Sequence, residues 1–81
     1  MDEKQILSRV SALVHEEHLL RERFAAGELG PDEEQARLRE LEESLDQCWD
    51  LLRQRRARQS AGENPEDVEA RPVAQVEGYL Q

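Results

Sequence analysis

The chain has 81 residues, of which 37% are hydrophobic, and one cysteine, so it can form neither a large core nor an intrachain disulfide. Its net charge of −8 argues against nucleic acid or an anionic membrane as its main partner. No apolar stretch suits a signal peptide or a membrane span, so we expect a cytoplasmic protein.

The first segment has the spacing of an amphipathic α-helix over residues 3–26. Hydrophobic residues recur at intervals of three and four positions, and Glu17 fills the one gap in the series. Asp2 and Gln5 are placed to form a capping box, and Gly27 is placed to end the helix. The residues of this predicted apolar seam are Ile6, Val10, Leu13, Leu20 and Phe24.

A second helix is predicted from Pro31 to about Ser60, after a loop of four residues. Proline is well tolerated at the first helical position, and the acidic residues that follow it suit the positive end of the helix dipole. So short a loop forces the second helix back against the first. The seam residues of the second helix are Leu38, Leu41, Leu45, Cys48 and Leu52.

Folding the chain at this loop brings four apolar layers of the first helix opposite four apolar layers of the second. It also brings Glu3 beside Arg55 and Arg56. The sequence therefore predicts an all-α protein built on an antiparallel, coiled-coil-like two-helix hairpin. The opposed pairs are Ile6 with Leu52, Val10 with Cys48, Leu13 with Leu45 and Leu20 with Leu38.

Further hydrophobic residues widen this seam beyond what two helices can cover. They are Leu7, Val14, Trp49 and Leu51. We therefore expect a second copy of the chain to complete an antiparallel four-helix bundle, with Trp49 as an anchor of the homodimer interface.

Residues 61–81 differ in character from the hairpin and are predicted to form an acidic linker and a partly ordered tail. Pro72 can open a short helical turn over residues 72–80, in which Val76, Tyr79 and Leu80 could bind a partner. This tail either docks on the hairpin or serves as a binding peptide.

Four arginines close the second helix: Arg53, Arg55, Arg56 and Arg58. They could bind the phosphate groups of a nucleic acid. A simpler interpretation is that they complement the helix dipole and form ion pairs with the acidic tail. The acidic charge of the whole chain favours the second interpretation.

Three other candidate sites have simple structural explanations. His15 and His18 lie one helical turn apart and could bind a transition metal, but both are predicted on the solvent side without a third donor. Glu17 on the seam can reach outward to Arg21 instead of being a buried functional carboxylate. Cys48, with no cationic neighbour in the sequence to activate its thiol, is expected to be an inert core residue.

The segments 45–58, LDQCWDLLRQRRAR, and 75–81, QVEGYLQ, resemble a family of short uncharacterised actinobacterial proteins, the domain of unknown function 2630. The opening residues 2–20 are similar too, so the resemblance covers nearly the whole chain. It implies a small helical protein of the bacterial cytosol. The family has no assigned catalytic or binding residues to transfer to this chain.

No nucleophile beside a base and no phosphate-binding loop occurs in the sequence, so we expect no enzyme and no cofactor. The leading hypothesis is an interaction or scaffold protein that binds itself and an unidentified protein. A nucleic-acid accessory factor using the four arginines is the alternative hypothesis. A metal-responsive protein using His15 and His18 is a weaker one.

Overall fold

A computed structural model describes residues 1–80, with side chains as far as Tyr79. Within that range the chain forms three helices and no strand, which confirms the predicted all-α class. None of these helices is long and apolar enough to cross a membrane. The helices are α1 (Glu3–Ala25), α2 (Pro31–Ser60) and α3 (Val73–Leu80).

Helix α1 begins at the capping box that the sequence predicts. The Gln5 amide donates to Asp2 Oδ1 at 2.7 Å, and the Asp2 amide donates to Gln5 Oε1 at 2.9 Å. The helix ends at Ala25, one residue earlier than predicted, because Ala26 is the C-cap. Gly27 then takes a φ of +76°, which glycine adopts without steric cost.

Helix α2 begins with Pro31 in its first turn and packs against α1, whose buried residues are Ile6, Leu13 and Leu20. Leu29 in the loop between the two helices is buried, although the sequence analysis did not single it out. At the other end of α2 the chain leaves the helix through Gly62, whose φ is +74°.

The core lies between α1 and α2 and contains most of the predicted seam. A hydrogen bond of 3.0 Å from Arg55 Nη1 to the Met1 carbonyl places the start of α1 beside Arg55. This agrees with the predicted register, which sets Glu3 beside Arg55. Of the seam residues, Phe24 stays 38% exposed because it lies in the last turn of α1. The buried cluster is Ile6, Leu13, Cys48, Leu51, Leu52 and Val68, with Val10, Leu41 and Leu45 packed against it.

The tail docks on the hairpin, which is one of the two alternatives that the sequence leaves open. The acidic linker lies on the hairpin, with Val68 buried against the core of α1 and α2. Helix α3 then packs on α2. Val76, which the sequence predicts could bind a partner, is 0% exposed within its own chain. The side chain of Leu80, which was also predicted to bind a partner, lies outside the described part of the chain.

Candidate functional site

Arg55 joins three separate parts of the chain. Its side chain is buried, and Nη1 donates to the carbonyls of Met1 at 3.0 Å and Pro65 at 3.2 Å. The same nitrogen lies 3.0 Å from Glu66 Oε1, which forms a charge-assisted hydrogen bond. Arg55 therefore fixes the linker to the start of α1 and is not available to a partner.

Asp50 anchors the tail on the outer side of α2. Its carboxylate is almost fully buried and accepts a hydrogen bond of 2.9 Å from Gln54 Nε2. Arg71 Nε lies 3.5 Å from Asp50 Oδ2, and Arg53 Nη2 lies 4.0 Å from Oδ1. A buried carboxylate needs such partners, since an isolated charge in the interior is costly. Asp50 was not among the residues predicted to form a site.

The other three arginines of the predicted cluster have separate surroundings. Arg58 pairs with Glu63 at 3.0 Å, so the predicted ion pairs with the acidic tail are confirmed for it and for Arg55. Arg53 donates to the Tyr79 hydroxyl at 3.2 Å and lies 5.4 Å from the centroid of its ring. Arg56 is exposed. The four side chains therefore do not form one continuous basic surface.

Acidic side chains meet where α3 crosses α2. One carboxylate oxygen of Glu77, Oε1, is buried and has no hydrogen-bond donor among residues 1–80. The pKa of Glu77 is raised, first by a hydrogen bond that its protonated carboxyl shares with Asp46, and then by burial and by the charges of Asp46, Glu43 and Glu42. When both carboxyls are ionised neither can donate, so ionisation of this pair opposes docking of α3.

We expect docking of α3 to strengthen in acid because of Glu77. Its pKa is higher in the docked state than the ordinary value of 4.5, so docking takes up a proton. The gain in docking free energy is therefore present below pH 4.5 and is lost as the pH rises through the raised pKa of Glu77. Glu77→Gln supplies an amide donor to Asp46 and should increase protection of the Val76 amide from hydrogen exchange at neutral pH.

The control for this prediction is Glu69→Gln, which removes an exposed carboxylate of the same linker and tail. We expect it to keep the acid-dependent gain in Val76 protection, whereas Glu77→Gln removes that gain. Equal pH dependence in both variants would contradict the role of Glu77.

Cys48 has a cationic neighbour, which corrects the sequence analysis. Burial raises the pKa of the Cys48 thiol above its ordinary value of 9.0, while the charge of Arg9 and a hydrogen bond from it act in the opposite direction. Since burial is the larger effect, the thiol stays protonated at neutral pH. Arg9 comes from the facing helix, so no local sequence pattern around Cys48 indicated it.

His15, His18 and Glu17 lie on α1 as exposed or partly exposed residues. Arg21 Nη2 lies 3.4 Å from Glu17 Oε1, which confirms the predicted outward pairing. His18 Nε2 lies 3.1 Å from Glu22 Oε1. In the part of the chain that the structure covers, no three His, Cys, Asp or Glu side chains form a group that could hold a metal ion.

Fold and contacts together define a small helical hairpin whose own C-terminal tail docks along the second helix. The chain belongs to the family described as "Protein of unknown function (DUF2630)", whose model matches residues 2–81. Uncharacterised proteins of Mycobacterium bovis and of two Mycobacterium tuberculosis strains are 47% identical to it over 77 residues, which is 95% of this chain and 88% of each relative. No solved structure gives a significant match.

Proposed function

We propose that this protein is a non-enzymatic interaction protein that pairs with a second copy of itself through one exposed apolar face. This surface, the Trp49 face, consists of Leu7, Val14 and Trp49. Their side chains are 44%, 52% and 45% exposed, although each lies beside the apolar seam. Exposed apolar side chains grouped beside a seam are typical of an interface.

The three residues point to the side of the hairpin opposite the linker. Arg9 and Leu51 line a small pocket with Ala70 of the linker, so both face the linker side. Leu7 lies two residues before Arg9, and Trp49 two residues before Leu51, which is a rotation of about 200° around each helix. Val14 lies seven residues after Leu7 and therefore returns to the same side.

A second copy is the occupant that this geometry favours. The chain is only 14 Å thick across its shortest axis, so the described residues form little more than one layer of helices. Helices bury an apolar stripe best when a second layer covers it. Two hairpins joined at the Trp49 face give the four-helix arrangement that the wide seam predicts.

Light scattering after size exclusion tests the proposal. We expect a mass of twice 9.4 kDa for the natural chain at high concentration and 9.4 kDa for Val14→Glu. Added salt should favour the dimer, because each copy carries a net charge of −8 and salt screens the repulsion. The chain has one tryptophan, so a blue shift of its emission on concentration would report burial of this face directly.

The matched control is Ser8→Glu, which adds the same charge to an exposed position of α1 next to Leu7 but on another side of the helix. We expect Ser8→Glu to dimerise like the natural chain. A natural chain that stays monomeric at about 0.5 mM, where even weak pairs with millimolar Kd are detectable, would overturn the proposal. So would a folded Val14→Glu variant that still dimerises.

A further inference from the structure

A groove of about 560 Å³ runs between α1 and α2 on the linker side, in the half of the hairpin nearer the loop. Its apolar lining comes from both helices and includes Leu13, Leu20 and Leu41. Arginines of both helices also line it, namely Arg9, Arg23 and Arg37. The groove is thus apolar in part and carries cations from each side.

The chain's own linker occupies the adjoining half of this inter-helix space. Pro65 contacts Arg55, Val68 packs in the core, and Ala70 reaches the small pocket beside Arg9 and Ser44. The linker therefore runs back along α2 toward the loop. Arg9 and Ser44 line both this pocket and the larger groove, so the groove continues the path of the linker.

The contacts of the linker show what kind of segment this space accepts. One apolar side chain, Val68, enters the core between the helices. Side chains of α2 bind the backbone that follows the turn at Pro65 and Glu66, since Gln54 Nε2 donates to the Glu69 carbonyl at 2.9 Å and Gln47 Nε2 to the Arg71 carbonyl at 3.0 Å. Arg55 pairs with Glu66 of the same segment.

The same chemistry continues into the groove beyond the linker. Arg23 and Arg37 pair with exposed Glu28 and Glu33 at 3.4 Å and 3.3 Å. Exposed pairs of this kind are worth less than about 1 kcal/mol, so an incoming carboxylate can replace them. Arg9 and Arg23 are 14 positions apart on α1, about 21 Å, which is the length of about six extended residues.

We propose that this groove binds an extended acidic segment of another protein, with an apolar side chain between its carboxylates, in the way that the neighbouring half binds residues 66–70. The chain's own tail cannot fill it, because the chain turns away at Pro72 into α3, which packs on α2. Glu16 and Glu40 also line the groove, so the carboxylates of the segment must lie opposite the arginines. The groove and the Trp49 face lie on opposite sides, so neither proposal depends on the other.

A peptide copied from the linker is the probe for this proposal. The capped peptide Pro-Glu-Asp-Val-Glu-Ala, which has the sequence of residues 65–70, is titrated into the isotope-labelled full chain. We expect saturable shifts of the Leu20 and Leu41 amides at peptide concentrations up to about 2 mM. Peptides with serine in place of valine, or with amides in place of the carboxylates, should bind at least about fivefold more weakly.

The double variant Arg23→Gln and Arg37→Gln should weaken binding about tenfold, because each arginine contributes a charge-assisted hydrogen bond. Arg39→Gln, an exposed arginine of α2 that does not line the groove, should leave binding unchanged. The proposal is overturned if no shift saturates, if the shifts appear at Leu51 because the peptide displaces the linker, or if the double variant binds the peptide as well as the natural chain does.

Discussion

Replacing Ile6 by alanine is expected to lower the free energy of unfolding by about 3 kcal/mol. Ile6 is 0% exposed, and truncating a fully buried isoleucine removes its apolar transfer energy and leaves a cavity. A domain of this size has a total stability of roughly 4–12 kcal/mol, so the loss is a large fraction of it. Urea denaturation followed by circular dichroism measures the change, at low protein concentration so that the proposed dimer does not contribute.

Leu19→Ala is the matched control for this prediction. Leu19 lies on the same helix but is 44% exposed, so its truncation should cost less than about 1 kcal/mol. Equal losses in the two variants would mean that the core is not centred on the Ile6 layer.

Arg55→Met is expected to lower the free energy of unfolding by about 2 kcal/mol and to release the linker. Methionine keeps an apolar stem of similar reach, but the hydrogen bonds to Met1, Pro65 and Glu66 are lost. We expect the methyl signals of Val68 to move toward their random-coil positions, because Val68 is held in the core by the same linker.

Arg56→Met changes the neighbouring exposed arginine and removes the same charge. A surface substitution of this kind should change stability by no more than about 0.5 kcal/mol and should leave Val68 in place. If Arg56→Met releases Val68 as well, net charge and not the Arg55 contacts controls docking of the linker.

The hairpin was predictable because local rules and periodicity agree on it. The spacing of hydrophobic residues, the capping box at Asp2, Gly27 after α1 and Pro31 at the start of α2 each specify the same two helices. The buried cluster then contains residues predicted for both helices, among them Ile6 and Leu52.

Docking of the tail was not predictable from such patterns. Val68 stands alone among acidic residues and gives no hydrophobic period. The linker is held partly through its backbone, by Gln47 and Gln54, and carbonyl acceptors are present in every sequence. Asp50 was missed for a similar reason, because its partner Arg71 lies 21 positions away, across the turn of the chain.

For the four arginines, the sequence predicted the ion pairs with the acidic tail but not how exposed each side chain is. Ion pairing with the acidic tail was predicted, and Arg55 and Arg58 make such pairs. Their exposure could not be read from the sequence, because it depends on where the linker passes. Arg9, by contrast, was within reach of the sequence, because the predicted register sets its neighbour Val10 opposite Cys48.

The position of Arg55 has a consequence for the order in which the chain can fold. Helices α1 and α2 can associate once Ser60 has been synthesised, but Arg55 gains its contacts to Pro65 and Glu66 only when those later residues are available. In a nascent or truncated chain that stops at residue 60, Arg55 would keep one of its three contacts, the one to Met1, and the core would lack the cover of Val68. Final consolidation of the first two helices therefore awaits the last quarter of the polypeptide.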